Sequence, residues 1–239
     1  MNTTYTILGA GRQGLAAAYD LAKFGQAARI ILADADIETA QRAAQRLHAL
    51  TGQDIAEAVR LDVRDEESLR TVLQPADAAL SAVPYYFNLD ITRAAIETHT
   101  HLADLGGKTD IVRRQLALDA EARAAGICLV PDCGMGPGLV SNLGAYAMDL
   151  LDQPEEIYIY DAGLPQHPKP PWNYALTFHI NGLTNEMDGQ AVFIRDGKIA
   201  YVDTLSEPEM LEFPPFGMLE ADVTSGGTST APWTFLGRV

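Results

Sequence analysis

Cysteine is nearly absent from this 239-residue chain: Cys128 and Cys133 are its only two, too few for a disulfide framework. Neither has a further cysteine or a nearby histidine beside it, so no metal site is expected. Basic residues are also scarce. Seventeen Lys and Arg stand against 32 Asp and Glu, a net charge of −15. Nucleic acids and anionic membranes select basic surfaces, so neither is expected as a partner. No apolar run reaches the length of a membrane span, and Met1-Asn2-Thr3-Thr4 lacks the basic-then-apolar order of a secretory leader. The expectation is a reduced, cytoplasmic enzyme acting on a small molecule. With 47% apolar and 21% charged residues, the chain has ordinary globular composition and length for one large domain or two modest ones.

What the chain does have is a glycine pattern in an informative place. The apolar run Tyr5, Ile7, Leu8 gives way to Gly9-Ala10-Gly11-Arg12-Gln13-Gly14, and a helical pattern begins at once. Such a turn lets backbone N–H groups approach a pyrophosphate and aims a helix N-terminus at its charge. Alone the pattern is weak. Here Ile30-Ile31-Leu32-Ala33 reads as the next strand and ends in Asp34, about twenty residues after Gly14, where an acid accepts hydrogen bonds from an adenosine ribose. Asp34, followed by Ala35 and Asp36 rather than a base, favours NAD over NADP. Arg12 is a counter-signal, since it lies in the turn and can reach a phosphate; its plainer role is a solvated helix-start residue.

Through residue 151 strand-like and helix-like segments alternate, which fits a doubly wound parallel sheet of the Rossmann type. Strands are expected at 5–8, 29–33, 58–61, 78–81, 101–103 and 128–131, and helices at 14–24, 37–50, 66–73, 88–98, 110–124 and 138–151, the last opened by Pro137. After Asp152-Gln153-Pro154 the texture changes to strand-like pieces (157–160, 175–178, 191–194, 198–202) between Pro- and Gly-rich loops. Residues 1–151 are therefore expected to form the nucleotide-binding domain and 152–239 an α+β substrate-binding domain.

Ligands of such sheets gather at strand C-termini. Asp62 and Val63 end the third strand, where adenine packs; Asp62 serves equally well as a cap for the following helix. Ala82, Val83 and Pro84 end the fourth, and their small size admits the cofactor's central part. Asp104, Leu105 and Gly106 end the fifth. Asp104 either orients a substrate amine or caps the next helix, and Tyr85 and Tyr86 either donate hydrogen bonds to substrate or simply pack. Asp132 follows the sixth strand, and Gly136 and Pro137 lie in a tight loop whose helix N-terminus suits a carboxylate. His179 is the one histidine with a context for a general base, though a lone histidine is more often structural. Thr228 and Ser229, in Thr224-Ser225-Gly226-Gly227-Thr228-Ser229-Thr230, offer hydroxyls and amides to a carboxylate, or form a flexible tail.

Taken in order, Val83-Pro84-Tyr85-Tyr86-Phe87-Asn88, Asp104-Leu105-Gly106-Gly107, Pro131-Asp132-Cys133-Gly134-Met135-Gly136-Pro137-Gly138, Gly163-Leu164-Pro165 and the Thr-Ser-Gly-Gly segment resemble the saccharopine dehydrogenase-like family over residues 5–232. Within that family the likeness is greatest to the L-lysine 6-dehydrogenase branch. The resemblance implies NAD-dependent oxidation of the lysine ε-carbon, with an imine that hydrolyses to 2-aminoadipate 6-semialdehyde and cyclises to a piperideine carboxylate. Saccharopine and carboxynorspermidine dehydrogenases of the same family are the enzymatic alternative, and a non-catalytic NAD-binding module is the other. The resemblance also implies association into a homo-oligomer, and a second domain left incomplete at Val239, because family chains continue beyond that point.

Overall fold

The computed structural model describes residues 3–239. The chain forms two compact units, one containing the residues up to Leu105 together with Asp110–Cys133, the other Gly106–Thr109 and Gly134–Val239.

In the first unit six parallel strands, β1 (Thr3–Leu8), β2 (Ala27–Asp34), β3 (Ala56–Arg60), β4 (Ala78–Ser81), β5 (His101–Asp104) and β6 (Leu129–Val130), lie in the order β3-β2-β1-β4-β5-β6. Side-chain alternation along the strands divides the apolar residues between two faces. Ile7, Ile30 and Leu32 pack on one face with Ala18 and Ala22 of α1 (Arg12–Phe24) and Ala40, Ala43 and Leu47 of α2 (Ile37–Thr51). Leu8, Ile31 and Ala33 pack on the other with Leu69, Val72 and Leu73 of α3 (Glu66–Leu73) and Ile91, Ala94 and Ala95 of α4 (Asn88–Glu97). A sheet covered on both faces has to be apolar on both, which is why these strands read as continuous runs. Asp36 starts α2 by accepting a hydrogen bond from the Glu38 amide (3.0 Å), and left-handed Gly52 (φ +71°) ends it.

The segment 110–124, expected as one helix, is two: α5 (Thr109–Leu116) and α6 (Asp119–Ala125). No Pro or Gly marks the break, so the apolar period alone could not show it.

The second unit holds α7 (Leu139–Asp149), α8 (Ile180–Glu186), α9 (Ala231–Phe235) and two antiparallel hairpins, β7 (Gln190–Arg195) with β8 (Lys198–Asp203) and β9 (Glu209–Phe213) with β10 (Gly217–Ala221). The division between units falls at Cys133/Gly134 rather than near 152, because α7 packs within the second unit. Gly144 faces the side chains of Ile157 and Ile159, and Met148 joins a small core with Ala231 and Phe235. Pro137 does not open α7; it sits in the preceding loop, and left-handed Gly138 (φ +132°) leads into the helix. The alternating segments 157–160 and 175–178 join no ladder among the described residues, whereas the β9–β10 pair had no clear alternation to announce it.

Leu32 is fully buried at the centre of the first unit. Leu32→Ala is expected to cost about 3 kcal/mol of that unit's stability, the usual loss for a truncated core leucine. Urea unfolding checks this, and a cost below about 1 kcal/mol would contradict the packing described.

Candidate functional site

Strand order reverses between β1 and β4, and a sheet of this kind opens its crevice there. The turn after β1 is held level with its neighbours by backbone bonds. The Gly9 amide donates to the Ala33 carbonyl (2.8 Å), and the Ala82 amide donates to the Leu8 carbonyl (2.7 Å).

The three glycines do different work. Gly9 has φ +95°, and a Cβ there would stand 2.8 Å from the Ala82 carbonyl oxygen. A Cβ on Gly14 would overlap the Gly9 carbonyl, so only glycine lets α1 start this close to the turn. A Cβ on Gly11 would meet nothing within 4 Å. Its face is open, which is what the close approach of a pyrophosphate requires. These residues fit a dinucleotide.

Asp34 stands beside the turn, half-buried. Its Oδ2 accepts from the Ala10 amide (2.9 Å) and its Oδ1 from the Asp36 amide (3.0 Å), so the carboxylate braces the turn. Asp36 is engaged as the α2 cap, and Arg42 reaches back to Glu38, Thr39 and Asp36. Arg12 is exposed at the start of α1.

Asp62 does not cap α3; Asp65 does, accepting from the Ser68 amide (3.3 Å) and hydroxyl (2.7 Å). Asp62 instead takes a forked pair of bonds from Arg64 (2.9 and 2.6 Å), which holds its carboxyl down at about 2. Tyr86, in the 3₁₀ turn Tyr85–Phe87, lies close enough to Arg64 to favour its charge and packs edge-on to Tyr85 (5.5 Å). Val63 and Val83 pack against the α3–α4 side of the core.

Asp104 is 1% exposed. Its Oδ2 accepts from Gln115 Nε2 (2.7 Å) and its Oδ1 from the Asp132 amide (3.3 Å), while its carbonyl takes the Cys133 amide (2.7 Å). Gln115 also donates to Thr92 Oγ1 (2.9 Å), and the Thr92 hydroxyl donates to the Asn88 carbonyl. Asp104 thus ties the ends of β5 and β6 to α4 and α5. Burial first, then the charges of Asp104 and Asp132, push the Cys133 thiol up. A thiol so placed is not poised as a nucleophile.

In the second unit two sequence motifs meet on α8. Asn185 Nδ2 donates to the Gly107 carbonyl (2.8 Å), and Lys108 Nζ donates to Asn185 Oδ1 (2.8 Å). The Ser225 hydroxyl donates to the Asn185 carbonyl and to that of Asp188 (3.1 Å), and the Ser225 amide donates to the Glu186 carbonyl (2.9 Å). Thr228 Oγ1 reaches the Val192 carbonyl (3.4 Å), and Ser229 is buried. The Thr-Ser-Gly-Gly segment is accordingly docked rather than a loose tail. His179 stands at the head of α8 instead of at a strand end, its Nδ1 accepting from the Asn181 amide (3.2 Å). The Gly134–Gly138 loop carries Gly136 and Pro137 in this unit, and a Cβ on Gly136 would collide with the Asp161 carboxylate.

Sequence reasoning missed Asn185, Glu186, Asp161 and Gln115. None follows a strand of the sheet or belongs to a glycine pattern, so no local signal marked them. Glu186 is a perturbed acid. Burial first, then the like charge of Asp161, push it up to about 7.

The fold and the turn define a pyridine-nucleotide-binding α/β protein. It belongs to the saccharopine dehydrogenase family: residues 5–130 match the saccharopine dehydrogenase NADP binding domain and residues 134–231 the saccharopine dehydrogenase C-terminal domain. A relative in Saccharomyces cerevisiae, saccharopine dehydrogenase [NADP(+), L-glutamate-forming], is 26% identical over 187 residues, 74% of this chain and 40% of the relative. Alpha-aminoadipic semialdehyde synthase of Arabidopsis thaliana is 27% identical over 156 residues, 62% of this chain and 14% of the relative. The solved saccharopine dehydrogenase (L-Glu forming) of Saccharomyces cerevisiae shares the fold, with a TM-score of 0.67 and 21% identity over 92% of this chain and 49% of that one. The chain therefore spans less than half the length of these relatives. Among the described residues no helix is long and apolar enough to cross a membrane.

The glycine geometry separates binding from stability. Gly11→Ala is expected to leave the melting temperature unchanged yet weaken nucleotide binding at least tenfold by calorimetry, whereas Gly14→Ala loses stability as well; full affinity in Gly11→Ala would show that the open face is not the binding face. Glu186 makes stability depend on pH. A carboxyl raised to about 7 from 4.5 makes the folded state bind more protons than the unfolded one, so Glu186 lowers stability as pH rises through that window. Glu186→Gln should therefore be more stable than the parent at pH 8, by about 1 kcal/mol after discounting for the group's half exposure, with no gain below about pH 4.5. Equal denaturant midpoints at pH 8 would refute it.

Proposed function

We propose that this chain forms the nucleotide- and substrate-binding part of an NAD-dependent dehydrogenase that oxidises the C–N bond of an amino acid. The substrate we favour is L-lysine, deaminated at its ε-carbon to 2-aminoadipate 6-semialdehyde, which cyclises to the piperideine carboxylate. The single observation that carries the cofactor half is the Gly9–Gly14 turn braced by Asp34, with its open face at Gly11. Support for the substrate comes from the relatives, which are named for saccharopine and for alpha-aminoadipic semialdehyde. ε-Oxidation of lysine yields that same semialdehyde.

In this reading the turn amides and the α1 N-terminus hold the pyrophosphate. Asp34 accepts from the ribose hydroxyls and repels an added 2′-phosphate, and Ala35 leaves the position after it uncharged. Asp62 and Val63 border the adenine, while Ala82–Pro84, Leu105 and Gly106 border the central and nicotinamide portions. The bound nucleotide supplies the hydride acceptor. Asp104 works by holding the β5 and β6 ends in place, with Tyr85, Tyr86 and Asp132 at the same strand edge. Gly136, Pro137, Thr228 and Ser229 shape the substrate half, and His179 contributes by ordering α8. Use of NADP is the second reading, favoured by the match to an NADP binding domain and by the exposed Arg12.

Both readings are separable by steady-state kinetics of the full chain. Lysine with NAD should give reduced nucleotide and one ammonia per turnover, faster than saccharopine does. Turnover with saccharopine but none with lysine would move the chain to the alternative substrate, and a higher kcat/KM with NADP would overturn the role given to Asp34.

A further inference from the structure

All but two of the chain's 17 Lys and Arg are exposed. Arg70 is one of the two, and it pairs with both Glu66 and Glu97. Lys108 is the other. It is half-buried, and among the described residues no carboxylate pairs with it. In a chain with 32 Asp and Glu, a counter-charge is easily supplied, yet this cation lacks one. Withdrawing an ammonium from water costs free energy that an anionic partner offsets.

We propose that Lys108 binds a carboxylate group of the substrate and that Asn185 positions its ammonium to do so. This inference rests on the amino-acid reading above, and every residue it invokes belongs to the second unit. Lys108 Nζ donates to Asn185 Oδ1 (2.8 Å), and Asn185 Nδ2 donates to the carbonyl of Gly107 (2.8 Å). These neighbours settle which way the amide points, since an ammonium only donates and a carbonyl only accepts. The backbone at Asn185 is fixed as well. Its carbonyl accepts from the Ser225 hydroxyl, and the Glu186 carbonyl accepts from the Ser225 amide (2.9 Å). A Cβ on Gly226 would stand 3.3 Å from Asn185 Nδ2, so that segment packs directly on the amide. The place of the ammonium is thus set by two distant segments rather than by its own flexible stem.

Asn185 gives the ammonium an oxygen but no charge. An ammonium carries three donors, and Asn185 takes one, which leaves two for the oxygens of an incoming carboxylate. Hydrogen bonds between ionised partners are about twice as strong as neutral ones, so the larger part of this cation's bonding capacity is still unused. Glu186, next in sequence to Asn185, responds to burial and to Asp161 and is not lowered by Lys108. An acid at position 185 would close the pair internally. The neutral amide orients the cation without neutralising it.

Lysine and saccharopine both carry carboxylates, so the assignment holds for either substrate. A nucleotide phosphate is the other anion such a reaction brings, and the experiment separates the two. Lys108 had no signal in the sequence, where it reads as an ordinary surface lysine after a glycine pair. Its burial and its neutral partner single it out.

The test compares L-lysine with L-lysinamide, which carries a neutral amide in place of the carboxylate, as substrates of the full chain at saturating nucleotide. The parent is expected to favour lysine by about 30-fold or more in kcat/KM, the usual loss when one partner of a charge pair is removed. Lys108→Gln keeps a donor for Asn185 without the charge, and should bring the two substrates within about threefold of each other, chiefly by raising KM for lysine. Asn185→Asp puts a carboxylate on Lys108 and should do the same, which keeps the test decisive if Lys108→Gln does not fold. Lys108→Arg should retain part of the preference, and Lys198→Gln, on the exposed β7–β8 hairpin, should match the parent. A parent that prefers saccharopine is tested alike with saccharopine and its triamide. A parent that handles acid and amide equally, or a preference within threefold of the parent's in Lys108→Gln or Asn185→Asp, overturns the proposal while leaving the amine-oxidising reading intact. A tenfold loss of NAD affinity in Lys108→Gln by calorimetry also overturns it, since the bound anion would then be the nucleotide's phosphate. A parent that reduces no nucleotide with any amino-acid amine overturns both.

Discussion

The nucleotide half of this protein depends on one steric constraint, the close approach of the Gly9–Gly14 turn to the ends of β2 and β4. Backbone bonds from Gly9 to Ala33 and from Ala82 to Leu8 hold three parallel strands level at the edge where the sheet order reverses. Side chains at 9 or 14 would have to occupy space already filled by backbone carbonyls. Apolar burial cannot offset such overlap, because backbone atoms held in a sheet have nowhere to move. The close turn therefore requires glycine at both positions, and Asp34 braces it through the Ala10 amide.

The second unit repeats the device with different parts. Gly226 and Gly136 are the places where a side chain must come close, Asn185 in one case and Asp161 in the other. The two units place their acids in opposite surroundings. Asp34 accepts two backbone N–H groups, which favour a carboxylate, whereas Glu186 is half-buried beside Asp161, which disfavours one.

How far the sequence reveals this depends on the range of the interactions. The sheet was legible because continuous apolar runs and glycine spacing act within a few residues: Ile30–Ala33 and the triple-glycine turn each announce themselves. The family was legible because its motifs are contiguous. Asp62 beside Arg64, rather than capping α3, turned on a choice between two nearby acids, and Asp65 is better placed for the Ser68 amide. The α5–α6 break and the placement of α7 with the second unit were not legible, since both are decided by packing between distant segments. The same holds for Asn185 and Glu186. The Asn185 partners Gly107 and Ser225 lie 78 and 40 residues away, and no local pattern encodes a contact of that range.

Hydride transfer from the ε-carbon of lysine to NAD is the central claim made for this chain. Turnover of lysine carrying two deuterons at C6, followed by NMR of the nucleotide product, tests it most directly. One deuteron at nicotinamide C4 is expected for every ammonia released. Reduced nucleotide free of deuterium, or none formed at all, would contradict it.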